Sequence, residues 1–305
     1  MSSEPIVTAA VGAALPVTGE PVEVQPLAVS DRGAGPYIRR FTVVERTTHA
    51  LVMVSFFGLV ITGVPLRFAY APWAAPLMRL LGGPVAAAIL HRVCAVITFG
   101  YFGLHLATVV KNFMRAEDKL SIFWGPRSMV PQPKDARDVI GMFKWFLGLG
   151  VRPKFDRYSY MEKFDYLAVF WGVLIIGGSG LLLWFPTFFS RFLPGWAFNV
   201  ATIVHGDEAL LALGFIFTIH FFNVHFRPEK FPIDLVIFTG RARAEYFEEE
   251  HPLEFERERQ AGRLAALQVP APSRSAYVWS MALGFASLSL GVLLVGLVIY
   301  ALLRG

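Results

Sequence analysis

Residues 203–226 read IVHGDEALLALGFIFTIHFFNVHF, an apolar run that carries three histidines, His205, His220 and His225. A bilayer crossing takes about 20 apolar residues. An ionisable side chain at that depth is costly and is normally retained for a ligand or a pathway. The run therefore predicts a membrane-spanning helix with a functional load.

Working outward, five segments are long and apolar enough to span: roughly 47–70, 86–110, 166–186, 200–225 and 278–303. Pro65 is expected to end the first and Pro84 to precede the second, while Trp184 and Pro186 close the third. The fold class predicted is an all-α integral membrane protein, a four-helix bundle over 37–235 plus a fifth, C-terminal transmembrane helix. Composition agrees: 55% of the 305 residues are hydrophobic and 17% are charged, against about 25% charged in soluble domains. Residues 1–36, rich in Ala, Pro and Val, read as a flexible arm and not as a signal peptide, so the first span is expected to direct targeting.

The net charge of +5 is a topology signal and gives no reason to expect nucleic acid. Four basic residues precede the first span, eleven lie in 111–164 and eight in 226–277, whereas the other connections hold only Arg67 and Arg79, and Arg191. The positive-inside rule then predicts a cytoplasmic N-terminus, an external C-terminus and insertion in the cell (inner) membrane. Within 136–149, Val139, Met142, Phe143, Phe146 and Leu147 share a helical face, which predicts an interfacial helix. Segment 236–277 reads as charged and cytoplasmic. Its stretch 240–265 is expected to be largely solvated, with His251 an ordinary surface residue.

Six of the seven histidines, His49, His91, His105, His205, His220 and His225, lie in or at the ends of spans. One could be an interhelical hydrogen bond; six call for a cofactor. From His91 to His105 the helix rises about 21 Å, and from His205 to His220 about 22 Å. Each pair also returns to roughly one face. The second and fourth spans run the same way, so His91 faces His205 at one depth and His105 faces His220 at the other. Facing neutral imidazoles are what the iron of a bis-histidine haem needs. The sole cysteine, Cys94, excludes an internal disulfide, a thiolate iron–sulfur cluster and covalent haem c attachment. At the inner depth His49 and His225 compete with His105 for the partnership of His220. The count expected is two haems b, or three if the leftover histidines pair.

Gly58, Gly63, Gly100, Gly103, Gly177, Gly178 and Gly180 would let a macrocycle approach the helix walls. Arg46 and Arg92 adjoin histidine positions and could meet haem propionates or lipid phosphates.

The stretches ERTTHALVMVSFFGLVITGVPLRF (45–68), ILHRV (89–93), DRYSYMEKFDYLAVFWGVLIIGGSGLLLWFP (156–186) and IVHGDEALLALGFIFTIHFFNVHFRPEKFPID (203–234), in this order, resemble the formate dehydrogenase gamma-type cytochrome b family over about 190 residues. The resemblance implies that His91 with His205, and His49 with His220, are the axial haem ligands. It also implies a quinone or menaquinone site beside the entry to the third span, where Tyr158, Ser159 and Glu162 offer polar groups. An iron–sulfur or multihaem c-type cytochrome subunit would be the partner. Here His105, His225 and the fifth helix depart from the family pattern. Ser159-x-x-Glu162 also reads as a helix capping box. The function expected is electron transfer between a partner redox protein and the quinone pool. The alternatives are a histidine-relay transporter or proton channel, and a haem-free anchor of a redox complex.

Overall fold

The computed structural model describes residues 36–228 and 230–304, so the expected arm, up to residue 35, lies outside the described residues. The protein is a helical membrane protein, and among the described residues five helices are long and apolar enough to span: Val43–Arg67, Gly83–Arg115, Tyr160–Trp184, Trp196–Phe226 and Arg274–Arg304. The helices begin a few residues before their apolar runs, and in the first and third spans polar residues close the first turn. Thr42 caps the first span: its hydroxyl accepts from the Glu45 N–H at 3.3 Å, and the Glu45 carboxylate accepts from the Thr42 N–H at 2.7 Å. Ser159 and Glu162 cap the third in the same way. Pro65 does not end the first span. It sits buried within the last turn, and the helix runs on to Arg67 at the cost of the one backbone donor that a proline lacks.

The third and fourth spans are not uniform α-helices. Val173–Gly177, Phe215–His220 and Phe222–Phe226 are π-helical, with the wider i→i+5 turn that often marks functional positions. Side-chain periodicity does not reveal such a turn.

The fifth helix buries Ser280, Gly284, Leu288, Gly291, Leu294, Val298 and Ala301, a stripe repeating every three or four residues. It packs on Val60 and Val64 of the first span and on Phe217 and Phe221 of the fourth. Gly291 permits this approach, since a Cβ there would lie 2.5 Å from Phe221 Cε2 and 2.9 Å from Phe217 Cδ1. Gly291→Val is expected to cost about 1–3 kcal/mol through overpacking, read as a lower melting temperature of the purified protein. An unchanged melting temperature would mean that the fifth helix is free to shift outward.

One end of the bundle carries a small folded module. Three strands, β1 (Tyr37–Arg39), β2 (Arg241–Arg243) and β3 (Gln268–Val269), form a sheet in the order β2–β1–β3 with both pairings antiparallel. Ile38, Ala242, Ala244, Phe247 and Phe255 make its core. This corrects the expectation that 240–265 is largely solvated. Glu250, Glu254 and Glu258 recur every four residues and are all buried. Each is answered by arginines: Glu250 by Arg152 at 2.7 Å and Arg227 at 3.0 Å, Glu254 by Arg40 and Arg157 at 3.0 Å, and Glu258 by Arg127 at 2.9 Å and Arg263 at 2.7 Å. Most of these arginines come from the 111–164 connection and from β1's continuation, so composition alone made the stretch look free. Nor is His251 an ordinary surface residue, because its Nδ1–H donates to the Asp156 carbonyl at 2.7 Å.

The helix Pro133–Phe146 beside this module keeps Asp135, Asp138 and Met142 inward and exposes Ile140, Phe143 and Phe146. Asp135 is held by Lys163 Nζ at 2.9 and 3.0 Å. Met142 therefore does not share an outward apolar face with Phe143 and Phe146 as expected. The buried carboxylates, drawn in by lysines, set the rotation of the helix.

This ion-pair network is expected to make the sheet end acid-labile. A hydrogen bond from Arg263 holds Glu258 below its ordinary pKa. Burial alone would raise Glu250, but the charges of Arg227, Lys230 and Arg152 outweigh it and the net direction is down. Burial, with Arg40 adding to it, lowers His251. All three bind protons more readily when unfolded, so their contribution is complete above the unfolded pKa and drains as pH falls. Loss begins below about 6.5 through His251 and continues below about 4.3 through the glutamates. The melting temperature is expected to drop between pH 7 and pH 4, with Glu258→Gln flattening the lower part of the curve; a flat wild-type profile would contradict this.

Candidate functional site

The first four spans surround a cavity of about 1910 Å³ lined by all six membrane histidines and otherwise mostly by apolar side chains. A site for one small ligand is roughly 300–1,000 Å³. The space suits more than one large, mainly apolar group.

Near the end opposite the sheet, His91 of the second span faces His205 of the fourth, with ring centroids 6.2 Å apart and planes 64° apart. Both rings are held through Nδ1. The Thr62 hydroxyl donates to the Gly58 carbonyl at 2.6 Å, so its oxygen accepts from His91 Nδ1–H at 2.8 Å. His205 Nδ1–H donates to the Ile176 carbonyl at 2.9 Å, within the π-helical turn of the third span. Each ring consequently keeps its Nε2 lone pair for a ligand. Gly180 makes room for this packing: a Cβ there would lie 3.0 Å from His205 Cε1.

These dimensions fit a bis-histidine haem. An imidazole binds a metal at about 2 Å, and the half-width of the ring adds roughly 1 Å, so two rings trans across one iron have centroids about 6 Å apart. Among the described residues no three His, Cys, Asp or Glu side chains form a metal cage. A two-histidine site suits a group that brings its own equatorial ligands.

Towards the sheet, the four remaining histidines differ in their bonding. His220 Nδ1 meets Asp165 Oδ2 at 2.8 Å, which again leaves Nε2 free for a ligand. His49 makes no hydrogen bond among the described residues and lies within electrostatic reach of His220. His105 has its Nε2 on the Tyr166 hydroxyl at 2.8 Å. His225 is buried, and its Nδ1 accepts the Asp234 N–H at 3.2 Å. The ring proton of neutral His225 therefore sits on Nε2, the wrong tautomer for a metal ligand through that atom.

Other predicted site residues are divided. Tyr158 and Glu162 line the cavity, with Arg40 lying over the Tyr158 ring at 5.6 Å. Ser159 is committed to the cap with Glu162. Gly63, Gly177 and Gly180 line the cavity, whereas Gly58 packs on Cys94, and Gly100, Gly103 and Gly178 face nothing within 4 Å. Arg46 is tied to the Phe238 carbonyl at 2.8 Å and does not line the cavity. Arg92 lies over the Trp184 ring at 5.6 Å beside the cavity.

Sequence reasoning missed Arg67. It lines the cavity, passes 3.6 Å from where a Gly206 Cβ would be, and pairs with Asp207 at 2.9 Å. Its place at the end of a span made it look like a topology charge; only the packing of the first span on the fourth sets it beside His205. No protein-family model and no curated protein sequence matches the chain.

Proposed function

We propose that the protein is a membrane b-type cytochrome that carries electrons between a partner redox protein and quinone. The observation that carries this reading is the facing of His91 and His205, 6.2 Å apart, with both Nδ1 positions occupied by neutral acceptors. When bound, haem b supplies one-electron exchange at iron. His91 and His205 would hold the first haem, with Arg67 and Arg92 available to its propionates. His49 and His220 would hold the second, since Nε2 of His105 is taken by Tyr166 and Nε2 of neutral His225 carries the ring proton. That gives two haems per chain.

The lysine and arginine distribution supports a cytoplasmic sheet end, and an inner-membrane location belongs to the same proposal. The partner, an iron–sulfur or multihaem c-type cytochrome subunit, would then exchange electrons at the external His91–His205 site. Quinone, or menaquinone, would react at the sheet end, where Tyr158 and Glu162 line the cavity. Ser159 serves there by orienting Glu162 through the cap.

The test is the reduced spectrum of the purified protein. A b-type α band on dithionite reduction, with two haems per chain by pyridine haemochrome, is expected. Colourless protein from cells replete in haem would end this reading.

A further inference from the structure

The two histidine pairs are held by different chemistry. His91 and His205 donate to neutral oxygens, the Thr62 hydroxyl and the Ile176 carbonyl. His220 instead meets a carboxylate, Asp165, at 2.8 Å. The Asp165 side chain is largely enclosed, and its second oxygen, Oδ1, is buried without a hydrogen-bond partner. Its charge is therefore poorly dispersed and acts mainly through His220.

Resting on the two-haem reading, we propose that Asp165 is a positioning residue that makes the sheet-side haem the lower-potential centre of the two. A carboxylate on Nδ1–H makes an axial imidazole a stronger donor. It also adds negative charge beside the iron, and both effects favour ferric over ferrous iron in the one-electron couple. The far-side pair has no such charge on either ring. At equilibrium an electron entering the chain rests on the His91–His205 side, and reaching the sheet side requires uphill transfer or fast withdrawal by an acceptor there.

Potentiometric titration of the α band in the wild type, Asp165→Asn and Asp165→Glu tests this. The amide keeps an acceptor for Nδ1–H but loses the charge; the glutamate keeps the charge. The expected result is that Asp165→Asn moves the lower of two transitions to higher potential and leaves the upper one in place, while Asp165→Glu retains a split near that of the wild type. The electron paramagnetic resonance signal of one oxidised low-spin haem should shift in parallel. Unmoved transitions in Asp165→Asn, equal shifts in both variants, or loss of one haem from Asp165→Asn by pyridine haemochrome would each overturn the tuning role. The last would make Asp165 a structural anchor. If the wild type itself binds no haem, it is the proposed function that fails.

Discussion

His205→Ala is expected to halve the haem content that the proposed function assigns, from two to one per chain by pyridine haemochrome, and to leave the fold intact. His205 is one of two rings whose centroids lie 6.2 Å apart in the cavity. Without it, His91 alone would have to retain the far-side haem, and bis-histidine ligation is lost. The structural cost is small by comparison: the ring's one backbone contact is the Ile176 carbonyl, and an unpaired carbonyl of this kind costs about 1–3 kcal/mol. His105→Ala is the control. His105 bonds Tyr166 through Nε2, so its loss should leave both haems. Equal haem loss in the two variants would mean that the pairing by facing rings is wrong.

Glu254→Ala is expected to be the most destabilising single substitution in the sheet-end module. Glu254 is 3% exposed and lies between Arg40, itself 4% exposed, and Arg157. Arg40 also donates to the Arg157 carbonyl and to Glu162, so β1, the entry to the third span and the 252–260 helix meet at this one carboxylate. Truncating it takes from two guanidiniums their nearest carboxylate and leaves them the longer pairs, Arg40 with Glu162 at 3.3 Å and Arg157 with Glu45 at 3.8 Å, in a site largely closed to water. Removing one partner of a buried pair costs about 3–5 kcal/mol. The partly exposed Glu256–Arg259 pair provides the contrast, and Glu256→Ala should cost no more than about 1 kcal/mol. Thermal melts of both variants decide the matter. Comparable small shifts would show that water reaches Glu254.

The five spans were legible because each apolar run is long enough to satisfy its own backbone in lipid, a local property that needs no tertiary information. The Ser159 cap was legible for the same reason, as all its bonds close within four residues. The His91–His205 pair could be read from helical rise alone, because two long helices running the same way bring equal depths together. Periodicity failed where the helix changed pitch: the π-turn that presents the Ile176 carbonyl to His205 leaves no mark on residue type.

At the sheet end the sequence left His49, His105 and His225 as rivals for His220, since depth arithmetic cannot see which ring nitrogen is already taken. Tertiary contacts separated them by giving Tyr166 to His105 and the Asp234 N–H to His225. The acid-rich stretch 240–263 shows the same limit. Its charges predict solvent exposure when counted alone, and burial once arginines more than 90 residues away are brought against Glu250, Glu254 and Glu258. The sequence by itself determined how many times the chain crosses the membrane and which histidines share a depth. Only the tertiary structure decided which of them keep a free Nε2, because that depends on hydrogen-bond partners supplied by other parts of the chain.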